Sequence, residues 1–135
     1  MKPSMPAPLL YEYAVIRVVP RVERDEFLNA GVVLYCRQQK RILVRMELDE
    51  ARLRALSPAA DLVEIRSYLD AFARIARGEA DSGPIARLDA ASRFRWLTAV
   101  RSTVIQTSRV HPGFCSEPDA ALDRLFQQLV AMPVL

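Results

Sequence analysis

"YEYAVIRVV", Tyr11–Val19, is the stretch on which the fold turns. Aromatic and β-branched residues dominate it, and both alternating sets are apolar apart from Glu12 and Arg17. That pattern predicts a strand covered on both faces, and therefore a central position in a sheet. The polar link "PRVERDE" leads to "FLNAGVVLYC", where the alternate set Leu28, Ala30, Val32, Leu34 and Cys36 is wholly apolar and the other set carries Asn29 and Gly31. One face of this second strand is expected to pack and the other to present a polar, side-chain-poor patch. "RQQK" then joins it to "RILVRME", with Ile42, Val44 and Met46 on one face and Arg41, Leu43, Arg45 and Glu47 on the other. Three strands with short polar links predict an antiparallel meander.

Helical spacing takes over beyond Glu47. Asp49 is placed to cap a short helix through Leu56, and Ser57-Pro58 to start a second one. In that second helix Leu62, Ile65, Leu69, Phe72 and Ala76 form one apolar stripe, and Gly78 is a natural C-terminal stop. "EADSGPIARLDAAS" reads as a loop. "STVIQTS" has the β-branched content of a fourth strand, and "SEPD" starts a last helix, with Ser116 and Asp119 as a capping box and Leu122, Leu125, Phe126, Leu129 and Val130 as its buried stripe. The expected fold is α+β: an antiparallel sheet of about four strands, a three-stranded meander plus one later strand, with helices packed on a face. Residues 1–10 are expected to be an irregular segment and 11–135 a single domain.

Composition narrows the function classes. Of 135 residues 51% are hydrophobic and 26% charged, as in folded soluble chains, so a disordered tether is excluded. Nineteen basic against sixteen acidic residues leave a charge of only +3, with every cation but Lys2 and Lys40 an arginine, which makes nucleic acid an unlikely partner. Pro3, Pro6 and Pro8 interrupt the start where a secretion signal needs an apolar run, and nothing approaches the roughly 20 apolar residues of a membrane span, so a cytoplasmic location is expected. Cys36 and Cys115 are then expected as two separate thiols.

"RFRWLTAVRSTVIQTSRVHPG", residues 93–113, gathers arginines around the only tryptophan and the only histidine. If residues 90–100 are helical, Phe94, Trp96, Leu97 and Val100 share one side, Arg95 points away, and Trp96 is expected in the core. Arg101 falls at the C-terminal end of that helix toward the packed side, so it needs a partner, because an unpaired buried charge costs several kcal/mol. A salt bridge to Glu26 or Asp25 is the structural reading; an anion contact shared with Arg17, Ser102 and Thr103 is the functional one. His111, beside Pro112-Gly113, is expected in a loop, more often structural than catalytic. One histidine and two distant cysteines make no zinc spacing. "RDEF", 24–27, could offer carboxylates to magnesium but more commonly marks a charged hairpin tip. Neither a glycine-rich phosphate loop nor a nucleophile motif occurs, and no cofactor or metal is expected.

The runs "YAVIRVVPRVERDEFLNAGVVLYC", "RFRWLTAVRSTVIQTSRVHPG" and "DRLFQQLV" resemble the bacterial family catalogued as domain of unknown function 3037, over nearly the whole chain. The chain has Val100, Thr107 and Arg109 where members often carry proline, and Ala30 where they carry valine. It keeps Glu26, Asn29, Gly31, Trp96, Arg101, Ser102, Gln106 and His111. The resemblance implies no reaction; it does imply an accessory role beside a kinase-like protein of the HipA type, a warrant by association.

Two function classes follow. One is a small cytoplasmic binding or regulatory module working with a protein partner, with a polar pocket where the second strand meets residues 101–111, drawing on Arg17, Glu26, Asn29, Arg101, Ser102, Thr103, Gln106 and His111, and with an anionic small molecule as a further ligand. The other is an enzyme acting on a phosphate-containing substrate, with His111 and Glu26 as the acid–base pair and Arg101 stabilising charge. Convergence of Glu26, Arg101 and His111 would favour the enzyme, and their dispersal the module.

Overall fold

The computed structural model describes residues 7–131. Strand β1 (Leu9–Val18) pairs antiparallel with β2 (Leu28–Cys36), which pairs with β3 (Arg41–Met46). The opposite edge of β1 takes β4 (Ile105–Thr107) along residues 16–18 and β5 (His111–Cys115) along residues 9–13. The result is an open antiparallel five-stranded α+β sheet with β1 at its centre. The meander is present as the pattern predicts. Of the expected fourth strand only Ile105–Thr107 forms β4, and an unexpected fifth strand follows it, so His111 begins a strand instead of lying in a loop. Leu9 and Leu10, expected to be irregular, belong to β1; residues 1–6 of that segment lie outside the described part.

A bulge separates β4 from β5. Thr107 faces Ile16 and His111 faces Tyr13, so three residues, 108–110, stand opposite two. Buried Ser108 repairs the ladder: its N–H donates to the Val15 carbonyl at 2.8 Å, and its Oγ accepts from the Val15 N–H at 2.8 Å.

A second bulge redistributes the core. Ile16 faces Gly31 but Arg17 faces Asn29, so Ala30 is the extra residue. Leu28 and Ala30 therefore pack on the same face as Val33 and Tyr35, while Val32 and Leu34 pack on the other. The single apolar set running from Leu28 to Cys36 is thus divided at the bulge, and both faces of β2 are core. Gly31 is required by close approach: a Cβ there would sit 2.7 Å from the Arg45 carbonyl oxygen and 2.9 Å from Met46 Cγ.

On the first face lie α1 (Glu50–Leu56), α2 (Leu62–Arg77) and α3 (Ala90–Leu97). Asp49 caps α1, as expected, by accepting from the Arg52 N–H. Ser57-Pro58 does not open α2, because the Ser57 N–H is spent on the Leu53 carbonyl at the end of α1; Asp61, accepting from the Glu64 N–H, is the cap. Ile65, Leu69, Phe72 and Ala76 enter the core and Gly78, in the left-handed region at φ 70°, ends the helix.

The second face carries α4 (Pro118–Leu129) alone, so helices cover both faces and not one. The capping box does not form: Glu117 is the N-cap without a side-chain bond, Pro118 occupies the first turn, and Asp119 is drawn to Arg41. Ala121, Leu122, Leu125 and Phe126 close on Tyr11, Val32 and Leu34. Around them Arg41 pairs with Asp119 (3.4 Å), Arg45 pairs with Asp123 (2.9 Å) and lies 4.1 Å from the centre of the Phe126 ring, and Arg124 donates to the Tyr11 hydroxyl (3.0 Å). Both cysteines are free thiols, and burial, more than the nearby Cys36, raises the pKa of Cys115. No helix among the described residues is long and apolar enough to cross a membrane.

Candidate functional site

Helix α3 stops sooner than its apolar pattern suggests. The Thr98 hydroxyl donates to the Phe94 carbonyl and the Thr98 N–H closes the last turn, leaving 99–104 without regular structure. Phe94 and Leu97, about 60° apart around the axis, carry the buried stripe; Trp96 lies about 100° beyond Leu97, and Val100 falls outside the helix altogether. Trp96 is accordingly 39% exposed and Val100 fully exposed, which corrects the expectation of a core tryptophan on a four-residue stripe.

What Trp96 lines is a cleft of about 610 Å³ between α2 and the strand entering β4. Tyr68, Ala71, Phe72 and Ile75 of α2 form one wall, Val22 contributes from the β1–β2 link, and Trp96 with residues 101–105 forms the other. Val104 and Ile105 are held there because the Val104 carbonyl accepts from the Val19 N–H at 2.7 Å and Ile105 faces Val18. The lining is mostly apolar, and Arg101 is its sole charged side chain among the described residues.

Arg101 does not bridge to Glu26 or Asp25. Its guanidinium carbon lies over the indole, 3.9 Å from the ring centre, and one Nη donates to the Trp96 carbonyl. No carboxylate comes within ion-pair range of it among the described residues, and partial burial pulls its pKa down from the usual arginine value. Glu26 is taken instead by Arg24 at the charged tip of the β1–β2 link, beside Arg21–Glu23. No group of three or more metal-ligating side chains occurs among the described residues.

A family model described as "Protein of unknown function (DUF3037)" matches residues 13–130. The chain belongs to this family. In this DUF3037 protein the matched region runs from β1 to the end of α4, so it takes in the cleft and both faces of the sheet. No curated protein and no solved structure matches the chain.

The eight residues expected to share one pocket in the DUF3037 chain are distributed over four places. Arg101, Ser102 and Thr103 line the cleft. Asn29, Arg17 and Gln106 form one row across β2, β1 and β4, on the α4 face. There Asn29 Nδ2 donates to the Leu129 carbonyl at 3.0 Å, satisfying the end of α4, and Arg17 stacks on Phe27 at 4.1 Å. Gln106 touches the cleft only through its backbone neighbours, its Nε2 donating to the Thr103 carbonyl at 2.8 Å. His111 stacks on Tyr13 with ring centres 5.4 Å apart, also on the α4 face, and Glu26 stays at the tip. Strand β1 stands between β2 and β4, so the expected pocket between the second strand and residues 101–111 cannot form. Glu26, Arg101 and His111 share no bond and no cleft.

Tyr68 is one of several residues of the candidate site that sequence reasoning missed, with Ala71 and Ile75 beside it. It lies off the Ile65–Leu69–Phe72 stripe and is 44% exposed, its hydroxyl donating to Glu64 at 2.6 Å. A half-exposed aromatic ring at the flank of the buried stripe, about 40° from Phe72 around the helix, was the available signal.

Proposed function

We propose that this protein is a small binding module, regulatory and not catalytic, whose recognition site is the cleft between α2 and residues 101–105. One observation carries the reading: an apolar cleft of about 610 Å³ is lined by two half-exposed aromatic rings and a single arginine that meets no counter-charge among the described residues. That size lies in the roughly 300–1,000 Å³ range of small-molecule sites, and apolar walls with few polar groups are the usual composition of such sites. Proton-transfer chemistry has no support there, because neither a carboxylate nor a histidine lines the cleft, and the hydroxyl of Thr103 is committed to the Ile105 carbonyl. The dispersal of Glu26, Arg101 and His111 favours the module over the phosphate-processing enzyme. A module of this kind acts through something else, and a protein partner in the cytoplasm, as the family resemblance implies, completes the reading.

Trp96 supplies the test, since it is the only tryptophan and lines the cleft. A set of neutral, anionic and cationic aromatic fragments is titrated while its emission and the melting temperature are followed. Some fragments should shift both, and Ala71→Phe, which fills the cleft, should abolish the response. If no fragment of any charge perturbs Trp96, the cleft is not a binding site.

A further inference from the structure

We propose that the cleft is selective for a small aromatic monocarboxylate, its carboxylate on Arg101 and its ring against Trp96 and Tyr68. The inference rests on the cleft being the recognition site and adds the chemistry of what it recognises. Arg41, Arg45, Arg66 and Arg74 each meet a carboxylate while more than a third of the side chain remains in water. Arg101 is partly desolvated and meets none among the described residues. A guanidinium without a counter-charge at the edge of an apolar cleft is an unfavourable arrangement that an anion relieves. Its contact with the Trp96 ring and one bond to the Trp96 carbonyl restrain the guanidinium and occupy one of its five N–H donors, leaving four to meet carboxylate oxygens. Ser102, exposed beside it and without a hydrogen-bond partner among the described residues, offers a further donor.

Charge also sets the valence. One cation lines the cleft, and Glu64 holds the Tyr68 hydroxyl at the opposite wall, so a second negative charge on the ligand finds no partner and a like charge nearby. A monoanion is matched and a phosphate dianion is not. The apolar remainder of the lining, from Ala71, Phe72, Ile75, Val104 and Ile105, calls for a hydrocarbon body, and two aromatic walls favour a flat one.

The discriminating experiment titrates the full-length protein with 3-phenylpropionate, its amide, 3-phenylpropylamine and phenyl phosphate at matched ionic strength, reading Trp96 emission and melting temperature. The carboxylate should bind at least about tenfold more tightly than the amide, the amine or the phosphate ester, a margin set by losing one charge-assisted contact. Arg101→Met should bring the carboxylate down to the affinity of the amide while leaving binding of the amide itself in place. Equal binding of carboxylate and amide to the wild-type protein overturns the proposal without any variant, so a misfolded Arg101→Met would not shield it. Tighter binding of phenyl phosphate than of the carboxylate likewise overturns it. Either result leaves the recognition cleft standing, whereas silence from all four probes at Trp96 removes the cleft and the proposal together.

Discussion

The two faces of the sheet are closed in different ways. On the α4 face one helix lies over β2 and β3, and the arginines at its edge, Arg41 and Arg45, are matched by Asp119 and Asp123. On the other face three helices share the work, and α3 ends at Leu97 before it can meet α2 along its whole length, so a cleft remains with Arg101 beside it. Both faces use an arginine stacked on an aromatic ring, at 4.1 Å for Arg45 on Phe126 and 3.9 Å for Arg101 on Trp96. The difference is what each ring does: Phe126 is buried to 1% exposure, Trp96 to 39%. Matched charge surrounds the buried Phe126 ring, whereas the half-exposed Trp96 ring lines an open cleft whose Arg101 meets no carboxylate among the described residues; Arg17 on the exposed Phe27 ring, at the margin of the α4 face, likewise has no ion pair among them.

The sharpest way to break that contrast is to truncate both rings. Phe126→Ala should destabilise by about 3–5 kcal/mol, as for a fully buried aromatic, whereas Trp96→Ala should cost less than about 2 kcal/mol. Equilibrium denaturation of the two variants measures both values, and equal losses would mean that Trp96 is core after all. The bulges are expected to come next. Ser108→Ala leaves the buried Val15 N–H without its acceptor and should cost about 1–3 kcal/mol, with faster amide exchange at Val15 as its local signature. Gly31→Ala drives a methyl group against the Arg45 carbonyl and should cost a similar ~1–3 kcal/mol, unless β3 moves away, which the chemical shifts of Arg45 and Met46 would reveal.

Smallest of all should be the rim charges. A double-mutant cycle on Arg45→Met and Asp123→Asn should give a coupling of at most about 1 kcal/mol, since both groups are largely exposed and screened. Arg101→Met should leave stability unchanged or slightly raised, because it removes a partly desolvated cation that meets no carboxylate among the described residues. A clear loss of stability in that variant would identify Arg101 as structural and erase the difference between the faces.

The sequence by itself determined the meander, the existence of the main helices and most of the buried stripes, but not β5. The alternation in Tyr11–Val19, the three-and-four spacing of Ile65, Leu69, Phe72 and Ala76, and the stop at Gly78 are local signals, because strand and helix periodicity are properties of neighbouring residues. Only the tertiary structure decided where those signals are interrupted. The Ala30 bulge depends on how β2 meets β1, and it transfers half an apolar set to the other face; the Ser108 bulge likewise places His111 opposite Tyr13. The candidate site was legible in part: Arg101, Ser102 and Thr103 are contiguous in the chain and stay together, whereas Trp96 was expected in the core and Asn29, Glu26 and His111 do not join them. Proximity across strands depends on register and facing, which one extra residue inverts, and no spacing within a single chain records which partner an arginine finds once the sheet is assembled.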